Sequence, residues 1–167
     1  MKSKLSSFLL FIIISALGVL LHFTFEWSGN NPVVGYFSAV SESTWEHLKL
    51  LFFPMVFITI CQCIIHKDSH TLLTVRSISI PCGMLFIVVV FYTVWGVMGK
   101  LMKWLNIGIY FLSVAFVLFL DQKLTQRNVF LNPIISVLIL GFITLLFFFF
   151  TYHAPNLGIF HDLEYLR

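Results

Sequence analysis

The sequence predicts an all-α polytopic membrane bundle of five transmembrane helices, N-terminus inside and C-terminus outside. Three observations carry that reading. Of the 167 residues, 59% are hydrophobic and only 10% charged, and a water-soluble domain of this size could not hide so much apolar surface. Five stretches reach the about 20 residues that cross a hydrocarbon core of roughly 30 Å as a helix. Lys2, Lys4, Lys67, Arg76, Lys123 and Arg127 fall on one side of those spans against Lys49, Lys100, Lys103 and Arg167 on the other, a bias that places the first side in the cytoplasm.

The first span, near 5–25, follows Lys2 and Lys4 as a signal peptide would, but its apolar run continues past Gly18 to Phe25 without a cleavage site. It reads as a retained helix. Residues 27–45 form the longest connection. Ser28, Gly29, Asn30, Asn31 and Pro32 are turn chemistry, while 33–40 is apolar yet too short to span, so it lies at the interface or dips back into protein. Trp27 and Trp45 mark its ends at headgroup level.

The second span, near 46–65, contains Pro54, which should kink the helix and free a carbonyl. The third and fourth spans, near 77–98 and 104–120, are joined so tightly by 99–103 that they must be antiparallel neighbours. A fifth span, near 130–152, has Pro133 in its first turn. The inner loops, around 66–76 and 121–129, are short and polar. Together these make one integral-membrane domain over 1–167.

This topology gathers acids and histidines on the outer face. Glu26, Glu42, Glu46, Asp162 and Glu164 lie there with His22, His47, His153 and His161, leaving Asp68, Asp121, His66 and His70 inside. The net charge of +3 follows from orientation in an anionic leaflet and gives no reason to invoke nucleic acid. Cys61, Cys63 and Cys82 fall inside spans with no second Cys pair, and read as small packing residues.

Ionisable groups at membrane depth are expensive unless paired, hydrated or metal-bound, so their concentration marks a site. His22 and Glu26 are related as i and i+4 and share a helix face, as do Glu42 and Glu46. Two helix mouths can then present His22, Glu26 and His47 as ligands to a divalent metal such as zinc, with Glu46 as general base and Glu42 as a further ligand or supporting carboxylate. His153, His161 and Asp162 are additional candidates if the turn-rich tail folds back over the outer surface.

Each residue also has a plainer role. Ser43 through Glu46 fits a capping box. His22 with Glu26 could be an interfacial ion pair, His47 a snorkelling side chain, and the tail residues solvated surface. His66 and His70 read as inner loop residues. No phosphate-binding glycine loop, nucleophile elbow or paired-histidine zinc helix is present in the sequence.

The stretch 22–54, HFTFEWSGNNPVVGYFSAVSESTWEHLKLLFFP, resembles DUF6512, a family of small bacterial integral-membrane proteins of unknown function. That family carries an H-x-x-x-E-W-S-G-N-N-P block followed by N-E-S-x-W-E-H-L-K-L-x-F-x-P. Ser41 stands where the pattern has Asn; Glu42, Glu46 and His47 match. The tail's Phe160-His161-Asp162 fits the family's Phe-x-Asp pattern. The resemblance covers about a fifth of the chain and implies an architecture and a site without a reaction.

The function expected is a protein of the bacterial cell membrane with an outward-facing His/Glu site. Its chemistry is metal-assisted hydrolysis or transfer on a lipid, lipoprotein or peptide at the outer leaflet. The competing class is a small transporter, ion-binding or accessory subunit.

Overall fold

The computed structural model describes residues 4–65, 69–99 and 103–162. It contains α1 (Lys4–Trp27), a single turn α2 (Pro32–Gly35), α3 (Thr44–Ile65), α4 (Ser69–Met98), α5 (Lys103–Gln126), α6 (Pro133–Tyr152) and a 3₁₀ turn at Gly158–Phe160. Among the described residues there is no strand, only an isolated bridge between Ser43 and Asp162. Five helices, all but α2, are long and apolar enough to cross a membrane.

α1 packs on α3 and α5, α3 on α4, and α4 on both α5 and α6. Pairing of α4 with α5 is the most extensive, as the short 99–103 link requires. Small and polar side chains mediate much of the close packing, because lipid supplies no hydrophobic force between helices. Gly18 lies against the Tyr110 hydroxyl. That hydroxyl donates to the Ile14 carbonyl at 3.2 Å and also faces, at 3.5 Å, the Leu50 carbonyl. Leu50 precedes Pro54 by one turn, so its carbonyl is the one that the proline leaves without an intrahelical partner.

The helices run beyond the expected ends of spans three and four. Apolar runs stop at Arg76 and Asp121, but α4 starts before the first and α5 continues beyond the second. These two residues are not loop charges. Arg76, 1% exposed, places Nε 3.2 Å from Asp121 Oδ2, and the Ser79 hydroxyl donates to Asp121 Oδ1 at 2.5 Å. Paired charges are accepted within a helical bundle where lone ones are not. His70 is consequently exposed in the first turn of α4 rather than in a loop; His66, Lys67, Asp68, Lys2, Lys100, Glu164 and Arg167 lie outside the described residues.

The 27–45 segment folds onto protein. Gly29 and Asn30 take positive φ of 69° and 60°, which reverses the chain after α1 at two positions where left-handed backbone is tolerated. The Asn31 side chain caps α2 by accepting from Val33 N at 2.9 Å, with Pro32 in the first turn. Ser38, fully buried, then bonds back to the end of α1: its hydroxyl donates to the Leu21 carbonyl and accepts from Thr24 Oγ1 and Phe25 N. Tyr36 and Phe37 pack on Phe148 of α6.

Trp27 is 67% exposed, as expected of an interfacial ring. Trp45 is not its counterpart. It sits among Phe147, Phe150 and Phe160. The phenylalanine run at the end of α6 is thus divided: Phe147 is fully buried and Phe149 is exposed.

Candidate functional site

The end of α1, the start of α3 and the residues after α6 meet at one end of the bundle. Ser43 caps α3, its hydroxyl accepting from Glu46 N at 3.3 Å. Glu42 therefore stands just before a helix N-terminus, where the macrodipole favours a carboxylate. His47 lies in the first turns of α3, and its Nδ1 sits 2.8 Å from the Ser43 carbonyl oxygen. A carbonyl only accepts, so Nδ1 carries the proton in this contact and Nε2 is left to carry the lone pair of a neutral ring.

That Nε2 is 3.5 Å from Glu42 Oε2, while His22 Nε2 is 3.8 Å from Glu42 Oε1. The rings of His22 and His47 lie 5.3 Å apart, and one ligand atom from each of His22, Glu42 and His47 falls within 4.8 Å of the other two. Ligands about 2.0–2.1 Å from a tetrahedral zinc are separated by roughly 3.4 Å; the His47–Glu42 contact approaches that length, while His22 meets the other oxygen of the same carboxylate. Both imidazoles are 29% exposed and Glu42 56%. The group sits at an accessible mouth.

A neutral His47 Nε2 and a carboxylate are both acceptors, and their approach calls for a proton or a cation between them. Metal-bound histidines commonly donate their second N–H to a carbonyl, as His47 does to Ser43. His22 Nδ1 is buried without a hydrogen-bond partner among the described residues.

Not every expected residue joins this group. Glu26 is exposed at the last turn of α1 and is outside the triangle; Glu42 takes the place expected for it. Glu46 is also outside. Adjacent helical residues diverge by about 100°, so Glu46 and His47 cannot face one point, and Glu46 turns into the protein, 3% exposed. Its Oε2 accepts from Val40 N at 3.0 Å and pairs with Lys49 Nζ at 2.7 Å. A carboxylate so engaged is a poor general base for the triangle.

In the sequence Lys49 reads only as a marker of orientation. It is fully buried, and Nζ also donates to Thr151 Oγ1 at 2.6 Å and to the carbonyls of Gly35 and Ser38 at 3.0 and 3.4 Å. This ammonium thereby ties α3 to α6 and to the loop carrying Glu42. The signal available was its i, i+3 relation to Glu46.

The tail does fold back. Asp162 Oδ1 accepts from Glu42 N at 2.6 Å, and Phe160 stacks near Trp45 and Phe150 at ring distances of 4.9 and 5.3 Å. Asp162 thus supports the Glu42 backbone rather than supplying a ligand. His153 caps α6 and stacks on Phe149, and His161 is exposed; neither enters the triangle.

The paired signature blocks and the Phe-x-Asp tail thus meet in one place. A model for the family of unknown function DUF6512 matches residues 3–165. The chain belongs to the DUF6512 family. No curated protein and no solved structure gives a match. For this DUF6512 protein the match extends the resemblance from the first two helix mouths to the whole bundle, clasping tail included.

Proposed function

We propose that this DUF6512 protein is a membrane-embedded, metal-assisted hydrolase or transferase acting on a lipid, lipoprotein or peptide where the bundle meets water. The observation that carries the reading is the His22–Glu42–His47 triangle, with His47 Nδ1 anchored on the Ser43 carbonyl and Nε2 turned to the carboxylate. Two imidazoles and one carboxylate suit zinc or a similar divalent ion with a position left open. Such an ion, when bound, polarises a carbonyl and lowers the pKa of water.

The protein's own part is positional. His47 is set by its helix, Glu42 by the Asp162 clasp, and the loop beneath them by Lys49. Glu26, exposed at the end of α1 beyond His22, is the carboxylate we assign as proton acceptor in place of Glu46. In a cell the site would face outward from a bacterial membrane, as the Lys and Arg bias implies.

The test is turnover. Purified protein in vesicles, given fluorogenic acyl esters and lipopeptides, should hydrolyse one class with a rate abolished by chelation, restored by zinc and lost in His47→Ala. A metal-loaded protein inert toward every class would instead favour an ion-binding or transport subunit. That second reading draws on the buried pairs Glu46–Lys49 within α3 and Arg76–Asp121 between α4 and α5, and predicts cation flux sensitive to Glu42→Gln.

A further inference from the structure

His47 belongs to two features at once. One edge of its ring faces Glu42, and the side chain also lines a cleft of about 60 Å³ between α3, α4 and α5. Thr44, Ile87, Phe91, Asn106 and Ile109 form much of the remaining wall. Ile87, Phe91 and Ile109 are buried core residues, and the cleft lies within three helices long enough to span.

Water suits this space poorly. Its volume would admit roughly four waters at ~15 Å³ each, and each would need at least two polar partners. The polar groups on the wall are few and partly engaged. Thr44 Oγ1 is 3.4 Å from Tyr92 Oη, the Tyr110 hydroxyl faces backbone carbonyls, and His47 Nδ1 is held by Ser43. Asn106 differs. It is half-buried and makes no side-chain hydrogen bond to any described residue, so a carboxamide with donor and acceptor both available stands beside the apolar part of the wall.

We infer that this cleft seats the first methylenes of an acyl chain, and that the substrate of the site is an acyl ester. The chain lies against Ile87, Phe91 and Ile109, the ester carbonyl accepts from the Asn106 amide, and the acyl carbon sits beside His47. This inference rests on the metal reading and narrows it to one substrate class. Hydrolysis there joins the water oxygen to the acyl carbon and breaks the acyl C–O bond; one water proton ends on the leaving oxygen and the other passes to solvent.

Alkyl hydroxamates test the idea, because they chelate a divalent ion while carrying a chain of chosen length. Full-length protein is loaded with Co²⁺ in a steroid-based detergent, which brings no alkyl chain of its own. It is then titrated with hydroxamates from acetyl to octanoyl, read through the Co²⁺ absorption bands. Affinity should rise roughly three- to fourfold per methylene until the cleft is full, then level off. Ile109→Trp, which fills the cleft, should flatten that rise while leaving Co²⁺ loading unchanged. Ile87→Ala, which enlarges it, should move the plateau to longer chains and serves if the tryptophan variant does not fold. A flat series in the unmodified protein, or a rise that persists unaltered in both variants, overturns the acyl assignment and leaves the metal site standing. Failure of Co²⁺ to load removes the metal reading and the acyl assignment with it.

Discussion

The backbone nitrogen of Glu42 donates to Asp162 Oδ1 at 2.6 Å, across 120 positions of the chain, beside an antiparallel bridge between Ser43 and Asp162. The last described residue thus fixes the carboxylate that stands between His22 and His47. Removing an outer partner of a metal ligand typically lowers affinity 10- to 100-fold. Asp162→Ala should therefore weaken zinc binding by about that factor, and Asp162→Asn, which keeps an acceptor, should recover most of it. Calorimetric titration of the two variants decides the matter; equal affinity in Asp162→Ala and the unmodified protein would make the clasp dispensable.

Glu46 and Lys49 form a fully enclosed ion pair. Breaking such a pair from one side strands a buried charge and costs about 3–5 kcal/mol. Were Glu46 only half of a capping box, Glu46→Gln would be nearly silent. The ion pair predicts instead a large loss of thermal stability in detergent for Glu46→Gln and for Lys49→Met. The double variant should be less damaged than the sum of the two, and protein that stays folded should retain its metal stoichiometry.

Gly35 has no room for a side chain. A Cβ there would stand 2.5 Å from the Tyr152 hydroxyl and 2.8 Å from Val40, and the same hydroxyl donates to the Pro32 carbonyl at 2.7 Å. Gly35→Ala should cost about 1–3 kcal/mol by overpacking. Adding Tyr152→Phe removes the clashing oxygen, so the two changes should combine to less than their sum in thermal unfolding.

Sidedness has a direct check. The 27–45 loop and the segment after α6 touch, so single cysteines at Asn30 and His161 should react with a membrane-impermeant thiol reagent from one face, and a cysteine at Arg127 only from the other. The Lys and Arg bias predicts that the first face is external. Labelling of Asn30→Cys and His161→Cys from opposite faces would break the site's geometry.

The sequence made the spans legible because long apolar runs have few alternatives, and the turn at Gly29 through Pro32 because its residues are specific to that backbone. Continuation of the helices past Arg76 and Asp121 was not legible, since hydropathy stops at a charge whether or not a partner waits across the helix interface. Pattern alone pointed to His22, Glu42 and His47, and the fold brings these three side chains together. Glu46 turns into the protein, and its adjacency to His47 sets the two side chains about 100° apart. A lone lysine near a helix mouth usually snorkels; beyond its spacing from Glu46, the folded loop, with the Gly35 and Ser38 carbonyls turned toward Lys49, makes it a buried ammonium. Asp162's hold on Glu42 depends on a chain reversal that local pattern does not specify.

The most direct test of the central claim is a zinc titration of purified protein by calorimetry, with elemental analysis of the dialysed product. A His22–Glu42–His47 centre predicts one ion per chain, with affinity reduced at least about 100-fold in Glu42→Gln and in His47→Ala, a fall larger than that expected for an outer partner, and little changed in His153→Ala or His161→Ala. No saturable binding, or stoichiometric binding that survives loss of both Glu42 and His47, would contradict it.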